Sequence, residues 1–102
     1  MLSYIYSMKI CYVYFLTNKN NTVIYTGVTS DLVSRLHQHK SKHYKGFSSR
    51  FNCDKLVYFE RFSNMNEAIT REKQIKSGNR KQKEKLIESF NPDWLDLSDD
   101  WS

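Results

Sequence analysis

The sequence predicts an α/β domain of the α+β kind, with elements in the order β-β-α-β-α-α. Three observations predict it. Two runs rich in β-branched and aromatic residues, at 12–16 and 23–27, flank a short Asn-rich polar loop, the pattern of two paired strands. A third such run follows at 55–62. The segments between and after carry cap residues and apolar positions at helical spacing. There is no internal repeat, low-complexity tract or linker rich in Pro, Gly or Ser. The 102 residues therefore read as one domain, 1–102, with a core portion at about 9–90.

The first pair of runs is a hairpin, because asparagine tolerates positive φ in the loop Thr17-Asn18-Lys19-Asn20-Asn21-Thr22. Pairing Thr17 with Thr22 sets Tyr14 directly opposite Tyr25, with both phenols on one face and Gly27 just beyond them. By themselves such residues are ordinary strand tyrosines. A glycine at a strand-to-helix junction lets another group come close to the backbone. The first helix spans about 30–40, with Thr29 or Ser30 as N-cap and Asp31 in its first turn. Leu32 and Leu36 face the core, and Arg35 and His39 share one helical face at i, i+4.

Residues 41–52 have no period and interleave Lys42, Lys45 and Arg50 with Tyr44, Phe47 and Phe51. Cations for phosphate and rings for stacking suit a nucleic-acid contact, Lys42 and Lys45 ahead of the rest. The equal alternative is a loop whose rings fold onto the core. The third strand, 55–62, has an apolar centre at 56–59 that requires cover on both faces. Tyr58 reads as core.

Asn64 or Asn66 caps the second helix, and Asn64-x-x-Glu67 fits a capping box. Ala68, Ile69 and Ile75 mark its buried stripe, and Glu72 falls inside that stripe. An unpaired carboxylate there costs on the order of 3–5 kcal/mol, so it needs a cation, a metal or a proton. An i, i+4 pair with Lys76 is the plain explanation. Gly78-Asn79 reads as a left-handed C-cap. The third helix spans about 80–90, and Arg80, Lys81, Lys83 and Lys85 crowd its first turns against the helix dipole. A phosphate backbone would account for Arg80 and Lys81 there, and so would simple solvation. Asn91-Pro92-Asp93-Trp94 turns the chain into an acidic tail, 91–102, expected to pack through Trp94 and Leu97 and to fray beyond them.

The net charge of +5 is uneven: +9 over residues 1–90 and −4 over 91–102. The body attracts polyanions and the tail opposes that. No run is long enough to span a membrane. Residues 1–7 lack the basic start and cleavage site of a secretory signal. Met8 is the expected start, leaving 1–7 as an extension; the competing reading is an extra edge strand at 4–6. Cys11 and Cys53 read as buried free thiols in a reducing cytoplasm. His37, His39 and His43 make only a weak zinc signal, having no third ligand near the His39-x-x-x-His43 pair.

Taken together, Tyr12-Val13-Tyr14, Tyr25-Thr26-Gly27, Arg35 ten positions after Tyr25, His39 four later and Glu72 on a later helix resemble the GIY-YIG nucleases. The chain departs from the family pattern at Tyr12, which stands for glycine, and at Thr26, which stands for isoleucine; Val28 falls where some members have lysine. The resemblance covers about 9–90 and is greatest to the small stand-alone members, akin to the N-terminal nuclease module of the incision component of the bacterial excinuclease. It implies a three-stranded antiparallel sheet flanked by helices. It also implies a catalytic set of Tyr14, Tyr25, Arg35, His39 and Glu72, with Glu72 holding one divalent ion. Asn91 is the loosest match, to a late asparagine near the site.

Hydrolysing a phosphodiester requires an activated water, stabilisation of phosphoryl charge and help for the leaving oxygen. Arg35 would grip the phosphate in a fork. One tyrosine would take the proton, either Tyr14 or Tyr25, while the other positions the water and His39 orients or shares the proton. Glu72 would hold Mg²⁺ or Mn²⁺, and one carboxylate is too few for two metals. The expected activity is a metal-dependent endonuclease in DNA repair or processing, acting as a monomer on nucleic acid, DNA ahead of RNA, with targeting from a protein partner. The alternatives are a non-cutting nucleic-acid-binding module of the same fold, and an adaptor that docks through the tail carrying Trp94 and Trp101.

Overall fold

The computed structural model describes residues 10–41, 46 and 50–101. The readings of residues 1–7 and of Lys42, His43, Tyr44, Lys45 and Phe47 lie outside them. The elements are β1 (Cys11–Thr17), β2 (Ile24–Thr29), α1 (Leu32–Lys40), β3 (Lys55–Phe62), α2 (Met65–Lys76) and α3 (Arg80–Phe90). The sheet is antiparallel in the order β2-β1-β3, so among the described residues β1 is central and β2 and β3 are edges.

Side chains alternate across a strand, and β1 shows what each side of the sheet meets. Cys11, Val13 and Phe15 pack with Ala68 and Ile75 of α2 and Ile87 of α3. Tyr14 and Leu16 pack with Leu32 and Leu36 of α1. Hence α1 covers one face, and α2 and α3 cover the other. This explains the nearly unbroken apolar run of β1 and the apolar centre of β3, since each strand is buried on both faces. A bulge opposite Phe15 and Leu16 sends Val57 and its neighbour Tyr58 into the same core. Both cysteines are buried free thiols.

The hairpin register differs from the sequence expectation by two residues. Thr17 pairs with Ile24, Leu16 with Tyr25 and Tyr14 with Gly27. The cause is Asn18: its side-chain oxygen accepts from the backbone N–H groups of Thr22 (2.9 Å) and Val23 (3.1 Å), and its amide donates to Thr22 Oγ1 at 2.6 Å. One side chain thus substitutes for ladder bonds and lengthens the loop. Because the shift is an even number of residues, Tyr14 and Tyr25 keep the same face, as diagonal neighbours.

The helix ends differ in detail at the start of α1 and after α2, while α2 starts on Asn64, one of the two expected caps. Asp31, rather than Thr29 or Ser30, caps α1 through Ser34 N, while Thr29 Oγ1 accepts from Asp31 N. Asn64 caps α2 through Glu67 N. After α2 the C-cap Ser77 is right-handed, so Gly78-Asn79 is not a left-handed cap. Asn79 instead starts α3 in a capping box with Gln82. A Cβ at Gly78 would meet the Gln82 side-chain oxygen that completes this capping box, so that side chain would have to move.

The tail is tied down well past Trp94. Leu97 N donates to Leu56 O at 2.8 Å, and Asp96 Oδ1 accepts from Leu56 N at 3.2 Å. Lys40 Nζ reaches Asp96 Oδ2 at 2.9 Å, binding the tail to α1. The expected fraying beyond Leu97 is replaced by a run of tight turns, with Asp99 N to Asp96 O and Trp101 N to Ser98 O.

Candidate active site

The site begins with a missing side chain. Gly27 pairs with Tyr14, and a Cβ on Gly27 would lie 2.5 Å from Tyr14 Oη and 2.6 Å from its Cζ. Only a bare backbone lets the phenol lie across β2. Tyr14 is fully buried, and its hydroxyl sits 3.2 Å from His39 Nε2. His39 comes from the last turn of α1 and is 2% exposed. Tyr25 completes the group from β2, with its ring centroid 6.2 Å from Tyr14 and 5.3 Å from His39. Unlike Tyr14 it is only partly buried.

Arg35 stands one turn before His39 on the same face of α1. Burial, reinforced by the Arg35 charge, lowers the His39 pKa from 6.5 to about 4. The imidazole is therefore neutral at neutral pH, able to hold a phenol without adding charge beneath the guanidinium. The structure thus brings Tyr14, Tyr25, Arg35 and His39 together on the α1 face.

Glu72 lies on α2, which packs on the face of the sheet opposite α1. Its side chain is largely covered, 16% exposed, and its carboxylate lies 3.4 Å from Lys76 Nζ. The i, i+4 pair expected from the sequence is present, though long. Lys76 then borders a depression beside β2 together with Ile24, Tyr25, Thr26 and Lys83. α2 and the tyrosine cluster therefore meet at the outer edge of β2. Among the described residues no group of three or more His, Cys, Asp or Glu side chains forms a metal nest.

Two residues expected at the site are committed elsewhere. Arg80 donates to the hairpin-loop carbonyls of Thr22 (2.9 Å) and Asn21 (2.5 Å) and to Glu84 Oε2 (2.9 Å), so it clamps α3 to the β1–β2 loop. Asn91 is buried, and its amide donates to Val57 O and Leu95 O while its oxygen accepts from Leu95 N. It fastens the turn after α3 to β3. Lys81 is exposed on α3.

Sequence reasoning missed a network on the α2 face. Tyr58 donates to Glu60 Oε2, and Arg71 grips Glu60 in a fork, Nε to Oε1 at 2.8 Å and Nη2 to Oε2 at 3.0 Å. Burial and the Glu60 bond push the Tyr58 phenol well above its usual range. The ring itself packs on Phe15 and Phe90, which makes Tyr58 a core residue as expected. It also missed Thr26, whose Oγ1 is buried with no hydrogen-bond partner among the described residues. The signal for Thr26 was present as a departure from isoleucine in the second triplet, but a threonine in a strand is ordinary by itself.

Residues 10–85 match the family model described as the GIY-YIG catalytic domain. A UPF0213 protein of Staphylococcus haemolyticus is 38% identical over 77 residues, covering 76% of this chain and 93% of the relative. A UPF0213 protein of Clostridium perfringens is 41% identical over 78 residues, covering 76% and 83%. The solution NMR structure of a UPF0213 protein from Bacillus halodurans superposes with a TM-score of 0.54 at 27% identity, covering 91% of this chain and 99% of that one. That neighbour has the same three-stranded antiparallel sheet with three helices.

Proposed function

The chain belongs to the GIY-YIG family, a nuclease family, and on that premise we propose that it is a metal-dependent endonuclease. It hydrolyses phosphodiester bonds in nucleic acid, DNA ahead of RNA, in repair or processing within the cytoplasm. The observation that carries this reading is the convergence of two phenols and a neutral imidazole beside an arginine, at a glycine that makes room for them.

The cluster supports a division of labour between the tyrosines. Tyr14 is fully buried and held by His39, so it positions its neighbours. Tyr25 reaches the surface, so it is the phenol that takes the proton from water. A phenol of pKa about 10 needs positive charge nearby to act at neutral pH, and Arg35 supplies it. Arg35 also grips the scissile phosphate. Glu72 is the residue that would hold Mg²⁺ or Mn²⁺: one carboxylate on a largely covered side chain, with a long contact to Lys76 among the described residues, suits a hard ion that keeps most of its waters. When bound, such an ion stabilises charge developing on the phosphoryl oxygens.

The test is incubation with single-stranded, duplex and branched DNA and with RNA, in Mg²⁺, in Mn²⁺ and in chelator. Tyr25→Phe is expected to slow cleavage 10²–10⁴-fold, roughly the value of a positioned base, and Glu72→Gln to abolish metal-dependent cutting. Cleavage indifferent to both substitutions would overturn the assignment. The second reading is binding without cutting. It is favoured by Lys76, which already supplies Glu72 with a counter-charge. Salt-sensitive binding with no product in either metal selects it.

A further inference from the structure

The depression beside β2 holds groups that the proposed chemistry leaves unused. Thr26, 6% exposed, is one of the residues lining this depression, and its hydroxyl is buried without a partner among the described residues. Leaving a buried hydroxyl unpaired is unfavourable, and valine would fill the same space in a strand without that cost. Lys76 and Lys83 line the same depression. Lys83 is half-buried on α3 and has neither an ion pair nor a side-chain hydrogen bond among the described residues. Burial and the charges of Lys76 and Arg80 depress its pKa. Arg80 is turned to the hairpin loop and Lys76 to Glu72. Two ammonium groups around one opening, over an unpartnered buried hydroxyl and with no acid among the described lining residues, form a site for an anion.

We propose that Thr26, Lys76 and Lys83 form a phosphate subsite that binds the nucleic-acid backbone one step away from the bond attacked beside Tyr25. Tyr25 borders this depression and also belongs to the His39 cluster, so a strand lying along the β2 edge meets both. Lys83 further lines the groove between α2 and α3, where Lys85, Gln74 and Gln82 rim a floor of Ile75 and Leu86. The bound strand therefore leaves the catalytic cluster over Lys83 and along that groove. This inference rests on the nucleic-acid reading of the site, but not on cleavage.

The test is binding of the intact chain to labelled 20-mer DNA, single-stranded and duplex, by fluorescence anisotropy in chelator over a range of salt concentrations. The variants are Thr26→Val, Thr26→Ser, Lys83→Gln and Lys83→Arg, with Lys19→Gln in the hairpin loop as control. Lys83→Gln is expected to weaken binding and to lower the salt slope by about 1, the signature of one lost phosphate contact, while Lys83→Arg restores both. Thr26→Val is expected to weaken binding at unchanged slope while raising Tm; a merely structural threonine would not trade the two in that way. Thr26→Ser retains affinity. Lys83→Gln and Thr26→Val binding like the wild type would overturn the subsite even if the protein cuts DNA, as would a wild type that binds none of the probes. Lys83-dependent binding without cleavage would support the subsite and refute the nuclease reading alone.

Discussion

Acidification should loosen this protein through His39, over a pH window that the structure defines. The unfolded chain takes up the imidazole proton at pH 6.5, whereas the folded chain takes it up only at about 4, because burial and Arg35 disfavour the cation. Between those values the unfolded state binds more protons, so stability is full above pH 6.5, falls as pH drops and levels off below 4. The complete effect is about 3 kcal/mol, and roughly 2 kcal/mol of it is lost by pH 5. Urea unfolding at pH 8 and pH 5 measures the loss, and His39→Gln should remove most of the difference between the two. The ring proton resonances of His39, followed by NMR, give the titration directly. A His39 that titrates near pH 6.5, or a wild type and variant with equal pH dependence, would refute the reasoning. Glu60 and Asp96 do not share this window. Burial raises their pKa values, but hydrogen bonds from Arg71 to Glu60, and from Lys40 and Ser98 to Asp96, outweigh it. Both end below their ordinary values, so their contributions are lost only in stronger acid.

Gly27→Ala should cost about 1–3 kcal/mol in chemical denaturation, because the new methyl group meets the Tyr14 ring and the packed core has no room to yield. The same variant should release the Tyr14–His39 contact, seen as a rise in the His39 pKa. Asn91→Ala removes three bonds to backbone groups and should cost roughly 2–3 kcal/mol, with amide hydrogen exchange faster at Leu95. Arg71→Met leaves the Glu60 carboxylate with only the Tyr58 hydroxyl among its present partners. It should raise the Glu60 pKa, measurable by carboxyl NMR, and lower stability at pH 7 by about 1–3 kcal/mol.

Much of the fold was legible because burial on both faces writes itself into a strand. The bounds of β3 follow from its apolar centre and polar ends, and β1 is apolar almost throughout. The shared face of Tyr14 and Tyr25 was legible for a weaker reason: an error of two residues in register leaves the side of the sheet unchanged. The register itself was hidden, because Asn18 satisfies Thr22 and Val23 through its side chain and local propensity carries no sign of that. The backbone partners of Arg80 and Asn91 were hidden for a related reason. A cation at a helix start and an asparagine after a helix suit a ligand and a backbone carbonyl equally, and only the fold shows that the Asn21, Thr22, Val57 and Leu95 carbonyls are within reach. That α2 lies on the far side of the sheet from α1 follows from how the chain crosses over, and no single helix records it.

The bonds that tie Leu56 to Asp96 and Leu97 occupy a rung of β3 on the side away from β1, where no strand lies among the described residues. An open rung of this kind is a template on which a second molecule can add its own strand. The C-terminal aspartate and leucine therefore act as a guard against self-association. A chain shortened before Asp96 should form concentration-dependent oligomers, by sedimentation, under conditions where the full chain does not.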